Sequence, residues 1–141
     1  MPSHLRAAFI ALVATFTVAN AADPPRKVLF LGNSITKHGP KAEIDWSGDW
    51  GMAASAASKD YVHLVIAGLT RSSGRAPEVL VKNIADFERG YADYDFSTKQ
   101  KETIAFEADL IILAIGENVP ALKSNAEKKD LESAVTRLLT T

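Results

Sequence analysis

Residues 28–36 read VLFLGNSIT, a continuous apolar run that meets a glycine, an asparagine and a serine. A short apolar run without polar alternation is typical of a strand covered on both faces, as in parallel sheets. Gly32 favours a turn directly after this strand, and Ser34 lies within that turn. The sequence therefore predicts a buried strand that presents a serine at its carboxyl end.

The rest of the chain alternates strand patterns with helix patterns. Further strands are predicted at residues 78–84 and at residues 109–115, the run DLIILAI. Helices are predicted at 50–58, 60–71 (capped by Asp60 and ended by Gly74) and 126–140, and residues 86–101 predict a loop with a helix on its C-terminal side. This order predicts an α/β domain with three α/β/α layers and a parallel, flavodoxin-like sheet. Because a doubly wound sheet usually has about five strands, three strands predict either a truncated domain or an unusually small domain with an exposed sheet edge.

Composition narrows the class of protein. The 141 residues carry a net charge of −1 and fit a single globular domain, and no basic run indicates a nucleic-acid partner. Cysteine is absent, which excludes disulfides and thiolate metal sites. Asp45 and Asp49 are acidic, but carboxylates beside glycine and serine are common in solvated turns, so we expect no metal site.

The N-terminus predicts export. Residues 1–21 have a charged start, an apolar stretch and a small-x-small end at Ala21, which is the pattern of a secretory signal peptide. The apolar stretch is shorter than the roughly 20 residues that span a bilayer, although an uncleaved anchor is the alternative. We therefore expect a linker at 22–26, a domain at 27–141, a secreted or periplasmic location and no membrane span after cleavage.

Three candidate segments follow the predicted strands at their carboxyl ends: Gly32-Asn33-Ser34, residues 83–90 and Gly116-Glu117-Asn118. Ligands of open parallel sheets bind beyond the carboxyl ends of the strands. A serine hydroxyl at one strand end and an asparagine amide at another suit a nucleophile and an oxyanion donor. Ordinary turn formation explains the same residues, so both interpretations stay open.

VLFLGNSIT together with LIILAIGENV, residues 110–119, resembles the SGNH hydrolases, also called GDSL-type esterases and lipases. The resemblance runs from residue 27 to the C-terminus and implies that Ser34 is the catalytic nucleophile. It also implies an oxyanion hole formed by Asn118, the backbone N–H of Ser34 and a glycine after the second strand. The only glycine in that loop is Gly90, which comes later than the family pattern places it.

The resemblance is incomplete at the general base. In the family a histidine near the C-terminus of the domain, with an aspartate three residues before it, takes the serine proton. The last histidine of this chain is His63, which we interpret as a helix surface residue, so we expect the base beyond Thr141. His38 lies only four residues after Ser34 and is expected to contact substrate rather than to act as the base.

Other side chains near the serine are weaker candidates. Asn33 and Trp46 are weak candidates to contact substrate with His38, although for Trp46 and Trp50 we favour the alternative, that they anchor the loop to the core. Asp86 and Glu88 could form an acid–base pair, but no partner in the sequence fixes their separation.

The resemblance implies a secreted serine esterase that acts on small acyl esters, with acylated carbohydrates as the favoured class and no cofactor. Because the base is expected beyond Thr141, the chain alone is expected to be inactive or nearly so. The alternative is a non-catalytic α/β binding module or a degenerate hydrolase that uses the same strand ends.

Overall fold

The computed structural model describes residues 23–140, so the predicted signal peptide at 1–21 lies outside the described residues. Three parallel strands form one sheet in the order β2-β1-β3, with β1 at Lys27–Gly32, β2 at Glu78–Asn83 and β3 at Leu110–Ala114. The helices are α1 (Tyr61–Ser73), α2 (Ala85–Arg89), α3 (Phe96–Lys99), α4 (Lys101–Phe106) and α5 (Asn125–Thr140). Short 3₁₀ turns lie at Ala42–Ile44, Ala57–Lys59 and Tyr91–Asp93.

Strand β1 is the central strand, and Phe30 pairs with Val81 on one side and Ile112 on the other. Because successive side chains of a strand point to opposite faces, β1 contributes to two cores. One core, on the α1 side, contains Val28, Phe30 and Val62. The other, beneath α2, α3 and α5, contains Leu29, Leu31, Phe87, Phe96 and Leu138. The predicted α/β fold, with a parallel sheet between two helical layers, is confirmed.

Helix α1 begins and ends where local capping rules place it. The Asp60 carboxylate accepts the backbone N–H of His63 at 2.8 Å, and Gly74 ends the helix with φ 71°. Helix α5 is preceded by Ser124, whose hydroxyl accepts the N–H of Glu127 while the Glu127 carboxylate accepts the N–H of Ser124. This reciprocal pair is a capping box.

Two segments differ from the sequence-based expectation. Residues 50–58 form turns and part of a 3₁₀ turn rather than a helix. Gly51 explains part of this, because a Cβ there would lie 2.0 Å from the Ile35 carbonyl oxygen, so the backbone is held against the serine loop. The expected loop at 86–101 instead contains most of α2, all of α3 and the start of α4. Its buried aromatic side chains, Phe87 and Phe96, pack on Tyr94 with ring centroids 5.2 and 5.1 Å away.

Within residues 23–140, every helix is too short or too polar to cross a lipid bilayer.

Candidate active site

Ser34 lies two residues beyond the end of β1, in a tight turn. Asn33 organises this turn, because its carbonyl oxygen accepts the N–H groups of Thr36 and Lys37, each at 3.0 Å, and its side-chain oxygen accepts the N–H of Ile35. Ser34 is half-buried, and its hydroxyl makes no hydrogen bond within residues 23–140. The turn therefore presents the serine hydroxyl without a competing partner.

Glycine is required directly before this turn. A Cβ at Gly32 would lie 1.9 Å from the Thr36 hydroxyl oxygen and 2.7 Å from the carbonyl oxygen of Ala114. The Thr36 side chain fills this space because its hydroxyl is hydrogen-bonded to the Tyr61 hydroxyl at 2.8 Å. Gly32 thus permits close packing between the serine turn and the adjacent strand.

Ser34 borders an open groove of about 550 Å³, which we call the Ser34 groove. The rest of its lining comes from the β1–α1 connection, the end of β2 and helix α2: His38, Lys41, Met52, Asn83, Ala85, Asp86 and Arg89. The groove lies beyond the carboxyl ends of β1 and β2, the edge of a parallel sheet where ligands bind.

A second polar assembly lies beside the groove. The Glu88 carboxylate is completely buried and accepts the backbone N–H of Gly116 at 2.5 Å and that of Asn118 at 3.4 Å. It also accepts side-chain N–H groups from Asn118 at 2.8 Å and from Asn33 at 3.3 Å. We call these four residues the Glu88 cluster: Glu88, Asn33, Gly116 and Asn118. Their hydrogen bonds join the segments that follow all three strands.

Glu88 is ionised in this cluster. Burial raises the pKa of the carboxyl, but the hydrogen bonds donated by Gly116, Asn118 and Asn33 outweigh it, and the net pKa lies below its ordinary value. Asp86, two residues earlier, is exposed and forms an ion pair with Lys99. The two acidic residues therefore have separate partners and do not face each other as an acid–base pair.

The predicted oxyanion donors are partly engaged. One side-chain N–H of Asn118 is donated to Glu88, and the Asn118 side-chain oxygen accepts the guanidinium of Arg89 at 3.2 Å. The backbone N–H of Gly90 donates to the carbonyl oxygens of Asp86 and Phe87 at 3.1 and 3.2 Å. Gly90 therefore ends α2 and has no free N–H for an oxyanion in this conformation. Asn118 retains its second side-chain hydrogen.

Of the three residues predicted to contact substrate, one lines the Ser34 groove and two make structural contacts instead. His38 lines the Ser34 groove. Asn33 is only 1% exposed and uses its amide within the Glu88 cluster, so it offers a substrate no surface. Trp46 donates its indole N–H to the His38 carbonyl oxygen at 3.0 Å and packs edge-on against Trp50, with ring centroids 5.3 Å apart. These contacts anchor the loop.

Sequence reasoning interpreted His63 only as a helix residue and found no aspartate-x-x-histidine pair in the chain, which is wrong. Asp60 and His63 have the aspartate-x-x-histidine spacing, although near the middle of the chain rather than at its end. The Asp60 carboxylate is 3% exposed and lies 2.7 Å from the imidazole Nδ1 of His63. Burial raises the pKa of Asp60, but hydrogen bonds from His63 and Gly51 bring the net pKa below its ordinary value. His63 neither lines the Ser34 groove nor hydrogen-bonds to Ser34.

Lys41 escaped the sequence reasoning, because no motif marks it, and Asn83 and Arg89 were considered only as parts of the candidate segment at 83–90. They reach the Ser34 groove only through the path of the loop and the pairing of β2 with β1. Among residues 23–140, no group of three or more histidine, aspartate or glutamate side chains is arranged to hold a metal ion.

Comparisons of the chain with protein-family models, with curated proteins and with solved structures found no match. The geometry of the site is therefore the basis for a functional interpretation.

Proposed function

We propose that this chain carries the nucleophile of a secreted serine esterase of the SGNH type. The observation that carries the proposal is the unbonded hydroxyl of Ser34, which borders an open groove beyond the carboxyl end of the central strand. Structural serines in tight turns commonly hydrogen-bond to the backbone, whereas a nucleophile must be accessible to substrate. The SGNH resemblance of the two polar turns supports the same assignment.

In the proposed reaction the Ser34 oxygen attacks the carbonyl carbon of a small acyl ester, and a general base takes its proton. The alcohol then leaves with a proton, and a covalent acyl-serine remains. Water attacks this acyl group and releases the carboxylic acid, which restores the serine hydroxyl. The N–H of Ser34 and the second side-chain hydrogen of Asn118 are the proposed oxyanion donors, and loss of one such donor typically costs about 10²–10³ in rate.

The proposal includes a general base other than the histidines within residues 23–140. Neither His38 nor His63 is hydrogen-bonded to Ser34 within the described residues. We therefore expect the 141-residue chain by itself to hydrolyse p-nitrophenyl acetate very slowly. A substantial rate that falls on Ser34→Ala, without any added base, would contradict this placement of the base.

The proposed function is tested with a fluorophosphonate probe in the presence of added imidazole, which substitutes for the missing base. Mass spectrometry of proteolytic fragments is expected to locate the adduct on Ser34, and the Ser34→Ala variant is expected to show no adduct. Labelling elsewhere, or no imidazole-dependent labelling of Ser34, would overturn the esterase proposal.

One observation favours a second candidate, a non-catalytic binding module. Glu88 already accepts the N–H groups of Gly116 and Asn118, so an internal carboxylate occupies donors that an oxyanion would need. A binding module predicts ligand binding in the Ser34 groove without modification of Ser34. The same labelling experiment separates the two candidates, because only the esterase requires a reactive serine.

A further inference from the structure

The Ser34 groove has an uncompensated positive charge. Two of its lining residues, Lys41 and Arg89, are cationic, and the acidic residue of the lining is Asp86. Asp86 is already neutralised by an ion pair with Lys99, which lies outside the lining. The charge that remains in the groove is therefore positive.

Within residues 23–140, neither cation has an anionic partner. The Lys41 ammonium makes no hydrogen bond or ion pair within residues 23–140. Arg89 donates one guanidinium nitrogen to the side-chain oxygen of Asn118, which is a neutral acceptor. Its remaining donors are available to a ligand in the groove.

Two lysines just outside the groove, unlike Lys41 and Arg89, form ion pairs with carboxylates. Lys37 is paired with Asp49 at 3.6 Å, and Lys82 is paired with Glu102 at 2.6 Å. Two lysines beside the groove thus already have carboxylate partners, whereas the two cations of its lining have no carboxylate partner within residues 23–140. A ligand with a negative charge would supply the partner that Lys41 and Arg89 lack.

We propose that the Ser34 groove binds the anionic group of its substrate, a carboxylate or a sulfate. Arg89 would form paired hydrogen bonds with that group, and Lys41 would contribute a single positive charge. This inference rests on the proposed function and narrows it, from small acyl esters in general to acyl esters of acidic carbohydrates or hydroxy acids. A neutral acylated sugar would leave both cations unpaired.

The position of Arg89 gives this recognition a structural basis. Arg89 directly follows the buried Glu88 and ends α2, and its hydrogen bond to Asn118 holds it beside the loop proposed to form the oxyanion hole. An anion bound at Arg89 would therefore be oriented relative to the ester bond at Ser34. Orientation of this kind lowers the entropic cost of acyl transfer.

The test is a binding titration of the purified protein with glucuronate, glucose 6-sulfate and glucose, measured by calorimetry at low salt. The acidic sugar that matches the groove is expected to bind about tenfold more tightly than glucose, which lacks a charge. This preference is expected to decrease as salt is added. Preference for glucuronate assigns a carboxylate, and preference for glucose 6-sulfate assigns a sulfate.

Charge-removal variants identify the residues that bind. Lys41→Gln and Arg89→Gln are each expected to remove most of the preference for the acidic sugar, and Arg89→Lys is expected to keep only part of it. Lys128→Gln on α5 is the matched control and is expected to bind like the unmodified protein. Equal binding of glucose and both acidic sugars, or an equal loss in Lys128→Gln, would overturn the proposal.

The titration tests the anion site and the Ser34 labelling tests the esterase, so either proposal can be rejected while the other is retained. Selective binding of an acidic sugar with no labelling of Ser34 would retain the anion site and reject the esterase. Labelling of Ser34 with no preference for acidic sugars would retain the esterase and reject the anion site.

Discussion

The Glu88 cluster and the Ser34 groove lie at the same edge of the sheet, yet their polar groups are in opposite states. In the cluster, a fully buried carboxylate accepts four N–H groups from two other segments, those that follow β1 and β3. In the groove, the Ser34 hydroxyl and the Lys41 ammonium have no partner within the described residues. Satisfied polar groups hold loops in place, whereas unsatisfied groups at an open surface are available to a ligand.

This contrast separates residues with a structural role from residues available for function. Asn33 belongs to a motif that resembles an active site, but it is buried and bonded, so its role is to shape the turn. Arg89 belongs to no motif, but it is exposed and borders the serine. Proximity to the nucleophile in sequence is therefore a poorer guide than hydrogen-bond satisfaction.

The largest effect is expected from Glu88→Gln. The amide keeps the shape of the side chain but removes the charge and places an N–H₂ group near donors, so the free energy of unfolding is expected to fall by about 3 kcal/mol. Urea denaturation followed by circular dichroism measures this change. Glu132→Gln, an exposed position on α5, is the matched control, and an equal effect of the two substitutions would contradict the structural role of the cluster.

Acid should weaken the same cluster. The pKa of Glu88 is lowered in the folded protein from its ordinary value of 4.5, so its ionisation stabilises the fold fully above pH 4.5. That stabilisation is lost as the pH falls through the folded-state pKa. The stability gap between the unmodified protein and Glu88→Gln is therefore expected to narrow below pH 4.5. A gap that stays constant or widens on acidification would show that Glu88 is not charged in the cluster.

Asp60→Ala is expected to lower the free energy of unfolding by about 2 kcal/mol. It removes the N-cap of α1 and the hydrogen bond that holds Gly51 beside the serine loop, at about 1 kcal/mol each. Asp60→Asn retains a capping oxygen and is expected to lose less. Thermal unfolding of the two variants measures the difference, which would vanish if Asp60 served only to orient His63.

Ser34→Ala should have the smallest effect on stability, within about 0.5 kcal/mol, because the hydroxyl has no hydrogen bond to lose. The same denaturation experiment measures this, and the contrast with Glu88→Gln is the sharpest test of the comparison between groove and cluster. A loss above about 1 kcal/mol would indicate that the serine has a structural role.

Local sequence patterns were sufficient to predict two strands of the sheet and the ends of helix α1. The apolar runs at β1 and β3 predicted strands because both faces of a parallel sheet are covered, and Asp60 and Gly74 predicted the ends of α1 because capping depends on neighbouring residues. The helix predicted at residues 50–58 does not form, and the reason is a contact between segments rather than a local pattern. Alanine favours a helix, but contact between Gly51 and the Ile35 carbonyl, which is distant along the chain, holds this segment in turns.

The sequence by itself determined the three strands, the main helices and the exposure of a serine turn after β1, since each depends on residues close along the chain. Only the tertiary structure decided the role of Glu88, because its donors lie 55 residues earlier and 28 residues later in the chain. It also decided that Lys41 and Arg89 line the same groove as Ser34, without anionic partners among residues 23–140. Burial and charge neutralisation depend on which distant segments meet, and no local pattern encodes that meeting.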